Sequence, residues 1–493
     1  SPLACRPQKL PDYPYSIHND AALAHQIYLN PALSSSKPTI RWQTQNLIIG
    51  GGLAGLSAAY HLKNEDYYLV ELSDRLGGSA SAGEFKHTRF AQGAHYDLNY
   101  PAFFGKPVLK MLESLKIIQF NPLTNYWDFR DKSYVIAPHQ ESRSFVNNTW
   151  REALLPDIRE KRQFYEILEP YLGHMLLPSP SIDKYYHHLN QISFLDFLEP
   201  QMALPREFKK AIDYQMRDDY GGNSEEVSAL AGVFYYTSRP EGFNGASSQI
   251  FSPPQGNAYF VEQMINQLDA ERIKNQHLVR RIYKNGPGFQ VEGIDLKKKQ
   301  PFLIQCQQII YAAQKQGLPY IYPADKDLFK DNRYIPWLSL NFILKKDPGF
   351  EAFWQNEFPD RKDAFIGFVD SKAQSNPSPR RVFTVYYCLA PQDRGRLLQL
   401  DQEAPQWIHQ AVSLIARYFD WNSKDLHRLI EKVFLKAMGH AMPLPYPGYL
   451  FQEKNQHRST KNLVYAGVDN SRLPLLFEAL DSGYRAVEEL NKS

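Results

Sequence analysis

The chain has 493 residues, a formal net charge of +3, 22% charged and 43% hydrophobic side chains, a balance that predicts two or three folded domains with a large core. No long basic run offers the electrostatic footprint of nucleic-acid binding, and no apolar run of about 18 residues predicts a spanning helix. The three cysteines, Cys5, Cys306 and Cys388, form no CxxC or Cys/His cluster, so no metal site is predicted.

Leu3-Ala4-Cys5 matches the end of a bacterial lipoprotein signal, with a chance tripeptide as the alternative. It predicts lipidation at Cys5, a membrane tether and a periplasmic location. The polar, Pro-containing residues up to Thr44 suit such a tether, and within them Ala21 to Tyr28 can form a short docked helix.

Leu47, Ile48 and Ile49 then read as a buried strand that runs into Gly50-x-Gly52-x-x-Gly55. The first glycine allows a tight bend, the second lets a pyrophosphate approach the backbone, and the third lets a helix pack on the strand. That helix, Leu53 to about Leu62, aims the free amides around Leu53 and Ala54 and its positive dipole end at phosphate. A second strand, Tyr67–Val70, ends at Glu71 and Leu72, where the carboxylate can accept ribose hydroxyls. Strand, turn, helix, strand and acid in register describe a dinucleotide site. Arg75 and a second glycine turn, Gly77-Gly78-Ser79, follow. A nicotinamide site does not need that second turn, whereas the longer FAD does.

Gly93-Ala94-His95-Tyr96 comes next, then a helix-rich stretch with helical spacing over Ala102–Leu115 and Ile158–Leu172, and a further start at Phe194. Within it, Arg217-Asp218-Asp219 can line a cleft, but reads more readily as a buried salt-bridge patch. Strands are predicted over 337–344, 365–369 and 382–389, and a helix over 404–418. A Pro-rich loop holds His440 and Tyr449, a strand ends at Gly467-Val468-Asp469, and a last helix opens near Glu478 with small residues on one face.

These segments together resemble the flavin-containing amine oxidase superfamily, which includes amine oxidases, protoporphyrinogen oxidases, carotenoid desaturases and related isomerases. The resemblance covers most of 45–110, 250–320 and 430–490. It implies an α/β fold: a three-layer, Rossmann-like FAD-binding domain with a parallel sheet, assembled from 45–110, 250–320 and 430–493, and an inserted mixed α+β substrate domain from 111–249 and 321–429. It implies FAD held by Gly50, Gly52, Leu53, Ala54, Gly55, Glu71, Leu72, Arg75, Gly77, Gly78, Ser79, Gly93, Ala94, Val279, Ala312, Gly467, Val468, Asp469, Phe477 and Glu478. His95, Tyr96, His440 and Tyr449 become the catalytic candidates. The implied activity is hydride transfer from a small organic substrate, an amine among the options, to flavin N5, with oxygen or another acceptor reoxidising the flavin.

Two departures stand out. Amine oxidases of this superfamily enclose the amine between two aromatic rings, one of them just before the acid of the last helix; here Leu476 takes that place, with Phe477 one residue on. Many also keep a lysine near N5; Lys315 comes too early, and Tyr320 falls nearer the expected position. A desaturase or isomerase on the same scaffold, an NAD(P)-dependent dehydrogenase and a non-catalytic tethered flavoprotein are therefore the alternatives.

Overall fold

The computed structural model describes residues 11–29, 38, 40–239, 248–374, 379–452 and 461–492. Cys5 lies outside them. Among the described residues no helix is long and apolar enough to cross a membrane.

Two sheets carry the fold. The first contains β2 (Ile40–Ile49), β3 (Tyr67–Val70), β6 (Ile273–Lys274), β7 (His277–Asn285), β8 (Gly288–Asp295), β9 (Gln300–Tyr311) and β15 (Leu463–Tyr465), in the order β6-β3-β2-β9-β8-β7, with β15 also on β9. Strands β3, β2, β9 and β15 run parallel, in the register Leu69–Ile48–Ile310–Val464. Side chains alternate between the two faces, and both faces are covered where these strands lie side by side, so Leu47–Ile49, Leu69–Val70, Ile309–Tyr311 and Leu463–Tyr465 are apolar and buried. Ile48, Leu69, Ile310 and Val464 face α2 (Leu53–His61) and α6 (Leu476–Asn491), whereas Leu47, Ile49, Val70, Ile309 and Tyr311 face a second cluster with Val279, Leu318 and Ile321. The expected three-layer α/β domain is present. Helix α6 lies close on α2, and a Cβ at Gly483 would collide with the Ala54 carbonyl oxygen.

The second sheet has eight strands in the order β1-β14-β10-β13-β12-β11-β4-β5. These are β1 (Tyr15–His18), β4 (Ser142–Val146), β5 (Thr149–Arg151), β10 (Tyr334–Leu344), β11 (Gln355–Glu357), β12 (Phe365–Asp370), β13 (Val382–Cys388) and β14 (Ile430–Pro443). Its outer face buries Leu338, Leu340, Phe383, Val385, Val433 and Leu435 under the apolar stripe of α5 (Leu400–Tyr418). Its inner face turns toward the first domain. There Tyr386 Oη donates to the Gly93 carbonyl (2.7 Å), Ser339 Oγ to Gln92 (3.0 Å) and Asn341 Nδ2 to Ala91 (2.8 Å), all buried. Residues of α3 (Arg206–Tyr220) and α4 (Ala229–Thr237) share one buried cluster with Ile335, Trp337, Ile366, Tyr386 and Cys388 of this sheet.

Three expectations are corrected. Residues up to Thr44 are not a free tail throughout: β1 pairs with β14 from Tyr15↔Val433 to His18↔Lys436, α1 (Asp20–Leu29) follows it, and β2 already starts at Ile40. Residues 430–443 do not belong to the dinucleotide-binding domain, because β14 pairs with β10 in the eight-stranded sheet. The stretch from 101 to 250, expected to be helix-rich, also includes strands that were not expected: β4, β5 and a small sheet of Tyr100–Pro101, Ile118–Asn121 and Tyr126–Phe129.

The contact between α6 and α2 yields a test. Gly483→Val should lower the unfolding free energy by about 1–3 kcal/mol, as overpacked sites do. Urea denaturation with an unchanged midpoint would contradict the close packing.

Candidate active site

A cavity of about 920 Å³ runs between the two domains, at the upper end of the roughly 300–1,000 Å³ typical of ligand sites. One end is built from backbone. Gly50 has φ +107°, and a Cβ there would stand 2.6 Å from the Ala313 nitrogen. Gly52 has nothing within 4 Å of where a Cβ would be, so its face stays open to the cavity that it lines. A Cβ on Gly55 would collide with the Gly50 carbonyl oxygen, so this glycine serves helix packing and does not line the cavity. Gly77 donates to the Gly51 carbonyl (2.8 Å) and has φ +109°, which docks the second glycine turn on the first. The first amides of α2 and of α6, at Leu53, Ala54, Leu476 and Phe477, belong to residues on the cavity wall and have no intrahelical partner by position.

Glu71 orders this cradle. Its Oε2 accepts from Gly51 N (2.6 Å) and its Oε1 from Ser73 N (2.7 Å), and burial holds its pKa above the usual carboxylate range. Arg75 donates through Nη1 to the Ala82 carbonyl (3.0 Å) and Gln92 Oε1 (2.6 Å). Lys436, which sequence reading missed, reaches in from β14; its Nζ donates to the Gly78 carbonyl (2.8 Å) and to Ser81 Oγ, and burial lowers its pKa to about 8. Its signal in the sequence is a lysine within the apolar run Val433-Phe-Leu-Lys436-Ala. Glu71, Leu72, Arg75, Gly77, Gly78, Ser79, Gly93, Ala94, Val279, Ala312, Gly467, Val468 and Phe477 all line the cavity, as do Gly50, Gly52, Leu53 and Ala54.

Another part of the wall is aromatic and acidic. Tyr100, Phe103, Phe104, Trp337 and Tyr386 supply rings. Asp97, Asp218, Asp219 and Arg239 supply charge, and all four line the cavity. Tyr96 Oη donates to Asp219 Oδ1 (3.2 Å) and accepts from Arg239 Nη2 (2.8 Å). Asp218 accepts from Gln355 Nε2 (2.7 Å). Burial, reinforced by Asp219, pushes the Asp218 carboxyl up to about 7, and burial pushes Asp97 up to about 6. The patch serves both expected duties: Asp219 pairs with Arg239 (3.6 Å), and both acids line the cavity, while Arg217 turns to the Asp363 and Cys388 carbonyls. The sequence carries a signal for Asp219 alone, which continues the stripe Phe208, Ala211, Ile212, Gln215 on α3.

Other expected site residues have structural duties. Tyr449 is fully buried, does not line the cavity and donates to the Val468 carbonyl (2.8 Å). Glu478 also lies off the cavity; its carboxylate accepts from Ser179 N (3.1 Å) and Arg472 Nη1 (3.1 Å). Asp469 lines the cavity, as expected, and also accepts from Lys315 Nζ (2.7 Å), Lys315 N (3.0 Å) and Tyr334 Oη (2.9 Å). Lys315 itself faces this acid, not the cavity. His95 lies against Tyr386 (centroids 5.1 Å apart); its Nε2 is buried without a hydrogen-bond partner, and burial lowers its pKa to about 4. His95 is thus a neutral ring on the cavity wall with an unpartnered Nε2. His440 lies on the wall, edge-on to Tyr334, with its pKa lowered to about 4 by burial and by Arg394. Phe477 packs on Tyr100 and Phe104. Among the described residues no cluster of His, Cys, Asp or Glu could hold a metal ion.

A family model described as an NAD(P)-binding Rossmann-like domain matches residues 48–113. No curated protein matches the chain by sequence. Among solved structures, wild-type putrescine oxidase bound to putrescine is similar over 92% of this chain and 100% of its own, at 12% identity and a TM-score of 0.61. The chain has the fold of putrescine oxidase. Cyclohexylamine oxidase from Brevibacterium oxydans IH-35A is similar over 91% of this chain and 99% of its own, at 13% identity and a TM-score of 0.59. A protein from Exiguobacterium sp. 255-15, provisionally designated a protoporphyrinogen oxidase, is similar over 92% and 100%, at 14% identity and a TM-score of 0.60.

The Lys315–Asp469 pair has an energetic consequence. Lys315→Met leaves a buried carboxylate without its cation, which typically costs about 3–5 kcal/mol. Chemical denaturation should show that loss; a variant as stable as the parent would show the pair to be dispensable.

Proposed function

We propose that the chain is an FAD-dependent oxidoreductase that oxidises a small cationic amine, with oxygen or another acceptor completing the cycle. The observation that carries this reading is the single cavity that joins a dinucleotide cradle to an aromatic and acidic wall. The cradle fits FAD: Gly52 leaves room for a pyrophosphate, a second glycine turn extends the backbone contact, and two helix N-termini face the same space. Bound FAD supplies a two-electron acceptor for a substrate C–H bond.

The chain's own residues set the substrate. Three carboxylates, Asp97, Asp218 and Asp219, stand against one guanidinium, Arg239, so the wall has an excess of acid and suits a cation. Leu476 lines the cavity where the amine oxidase superfamily has a ring, and Phe477 packs on Tyr100 and Phe104. A cation is thus held by carboxylates and not between two rings. Tyr96, tied to both Asp219 and Arg239, fixes the orientation of that pair. Asp218, with its pKa near neutrality, can bind a cation when ionised and hold a proton when not. The apolar rings around it exclude water from the reacting carbon.

The direct test is anaerobic mixing of the flavin-loaded protein with a set of monoamines and diamines. Bleaching of the flavin by at least one of them is expected; no bleaching by any amine would overturn the substrate class. Glu71→Ala, which frees the Gly51 and Ser73 amides and removes a buried acceptor, should weaken FAD retention by on the order of 1.5–3 kcal/mol. Unchanged flavin content after dialysis would refute that role.

The raised carboxyl of Asp218 also fixes a pH dependence. Below about pH 7 it is protonated and neutral; above it the carboxylate is available to the cation. Amine affinity, read as KM, should therefore improve as pH rises through about 7. Asp218→Asn should flatten that limb and weaken binding by roughly ten- to a hundredfold. A parent KM constant across this range would contradict the assignment.

A further inference from the structure

We infer that α1 is a clasp over the nucleotide end of the cavity, so that loss of the dinucleotide requires this helix to lift. The inference rests on the reading of the cradle as an FAD site.

Asp20, Ala24, His25 and Tyr28 of α1 line the same cavity as Glu71, Leu72, Ser73, Leu278 and Val279. Three of them, Asp20, Ala24 and Tyr28, are spaced by four, which places them on one helix face. That face is held from both sides. On one side β1 hydrogen-bonds along β14 in the eight-stranded sheet, and Asn19 Nδ2 donates to the Leu397 carbonyl (2.7 Å). On the other, Tyr28 Oη donates to the Val279 carbonyl (2.9 Å), and Ala24 and Ile27 bury themselves on Leu278, with Leu72 and Ile294 beside them. The Tyr28 ring also stacks on Tyr320, another cavity residue (5.9 Å between centroids, 14° between planes). The helix therefore bridges both sheets across the nucleotide end of the cavity.

The two anchors meet the cradle itself. His18 is the register partner of Lys436, whose ammonium holds the Gly78 carbonyl and Ser81 Oγ of the second glycine turn. His18 Nε2 also lies 2.9 Å from Asp20 Oδ2 and 3.4 Å from Ser73 Oγ, just past Glu71. A nucleotide that fills the cradle fixes the surfaces on which α1 rests, and α1 in turn blocks the way out.

Two measurements test this. Amide hydrogen exchange of residues 20–29 should slow on adding FAD to flavin-free protein, and unchanged exchange with FAD demonstrably bound would overturn the clasp. Tyr28→Ala should speed release of bound flavin, followed by recovery of free-flavin fluorescence on dilution, about tenfold, with Tyr28→Phe in between because it keeps the ring and loses the hydrogen bond. Tyr185→Ala, at an exposed site away from the cavity, should release flavin at the parent rate. Equal release rates for Tyr28→Ala and the parent would refute the clasp and leave the cofactor reading standing. Failure of the parent protein to bind FAD at all would refute both.

Discussion

Everything else in the molecule depends on two stretches of backbone lying against each other without side chains between them. Gly77 N reaches the Gly51 carbonyl at 2.8 Å, and Glu71 takes the amides of Gly51 and Ser73 with its two oxygens. Neither approach tolerates a Cβ pointing inward at the first turn, where Gly50 already touches the backbone of the Ala312–Ala313 strand end. The result is a rigid concave surface of amides at the end of a parallel sheet, where α/β folds bind ligands.

The second sheet turns that surface into an enclosed site. Its inner face grips the 91–93 segment through the buried hydroxyls of Ser339 and Tyr386 and the amide of Asn341. Lys436 on β14 then extends from this sheet into the cradle of the other domain. Because the domains are fastened at these points, the cavity keeps one part of its wall made of glycine backbone and another made of rings and carboxylates. The acids come from the end of α3 and from Asp97, and burial raises the pKa of each by withholding water from the charged form.

The dinucleotide end was legible because its requirements are local: a bend, an open face, a helix start and an acid fall within Gly50 to Glu71, and each imposes a residue type at a fixed offset. Tyr67–Val70 and the parallel core strands followed from the same logic, since burial on both faces leaves only apolar residues. The acidic wall was not legible in the same way. Asp218 and Asp219 resemble any charged pair in an amphipathic helix until the tertiary structure turns Arg217 elsewhere. Lys436 and α1 reach the site through strand pairing between residues more than 400 positions apart, such as Tyr15 and Val433. Two expected residues err in the opposite sense. Tyr449 and Glu478 sit near the site in sequence, yet lie off the cavity and are taken up by buried partners, a carbonyl and an arginine. Sequence position locates a residue along the chain, but only packing decides whether its polar atoms are free.

The account is tested most directly by titrating flavin-free protein calorimetrically with FAD and, separately, with NADH and NADPH. It predicts one FAD bound per chain, with a heat-capacity decrease from burial of the cavity, and no comparable binding of either nicotinamide dinucleotide. Tight binding of NADH or NADPH with no response to FAD would contradict it.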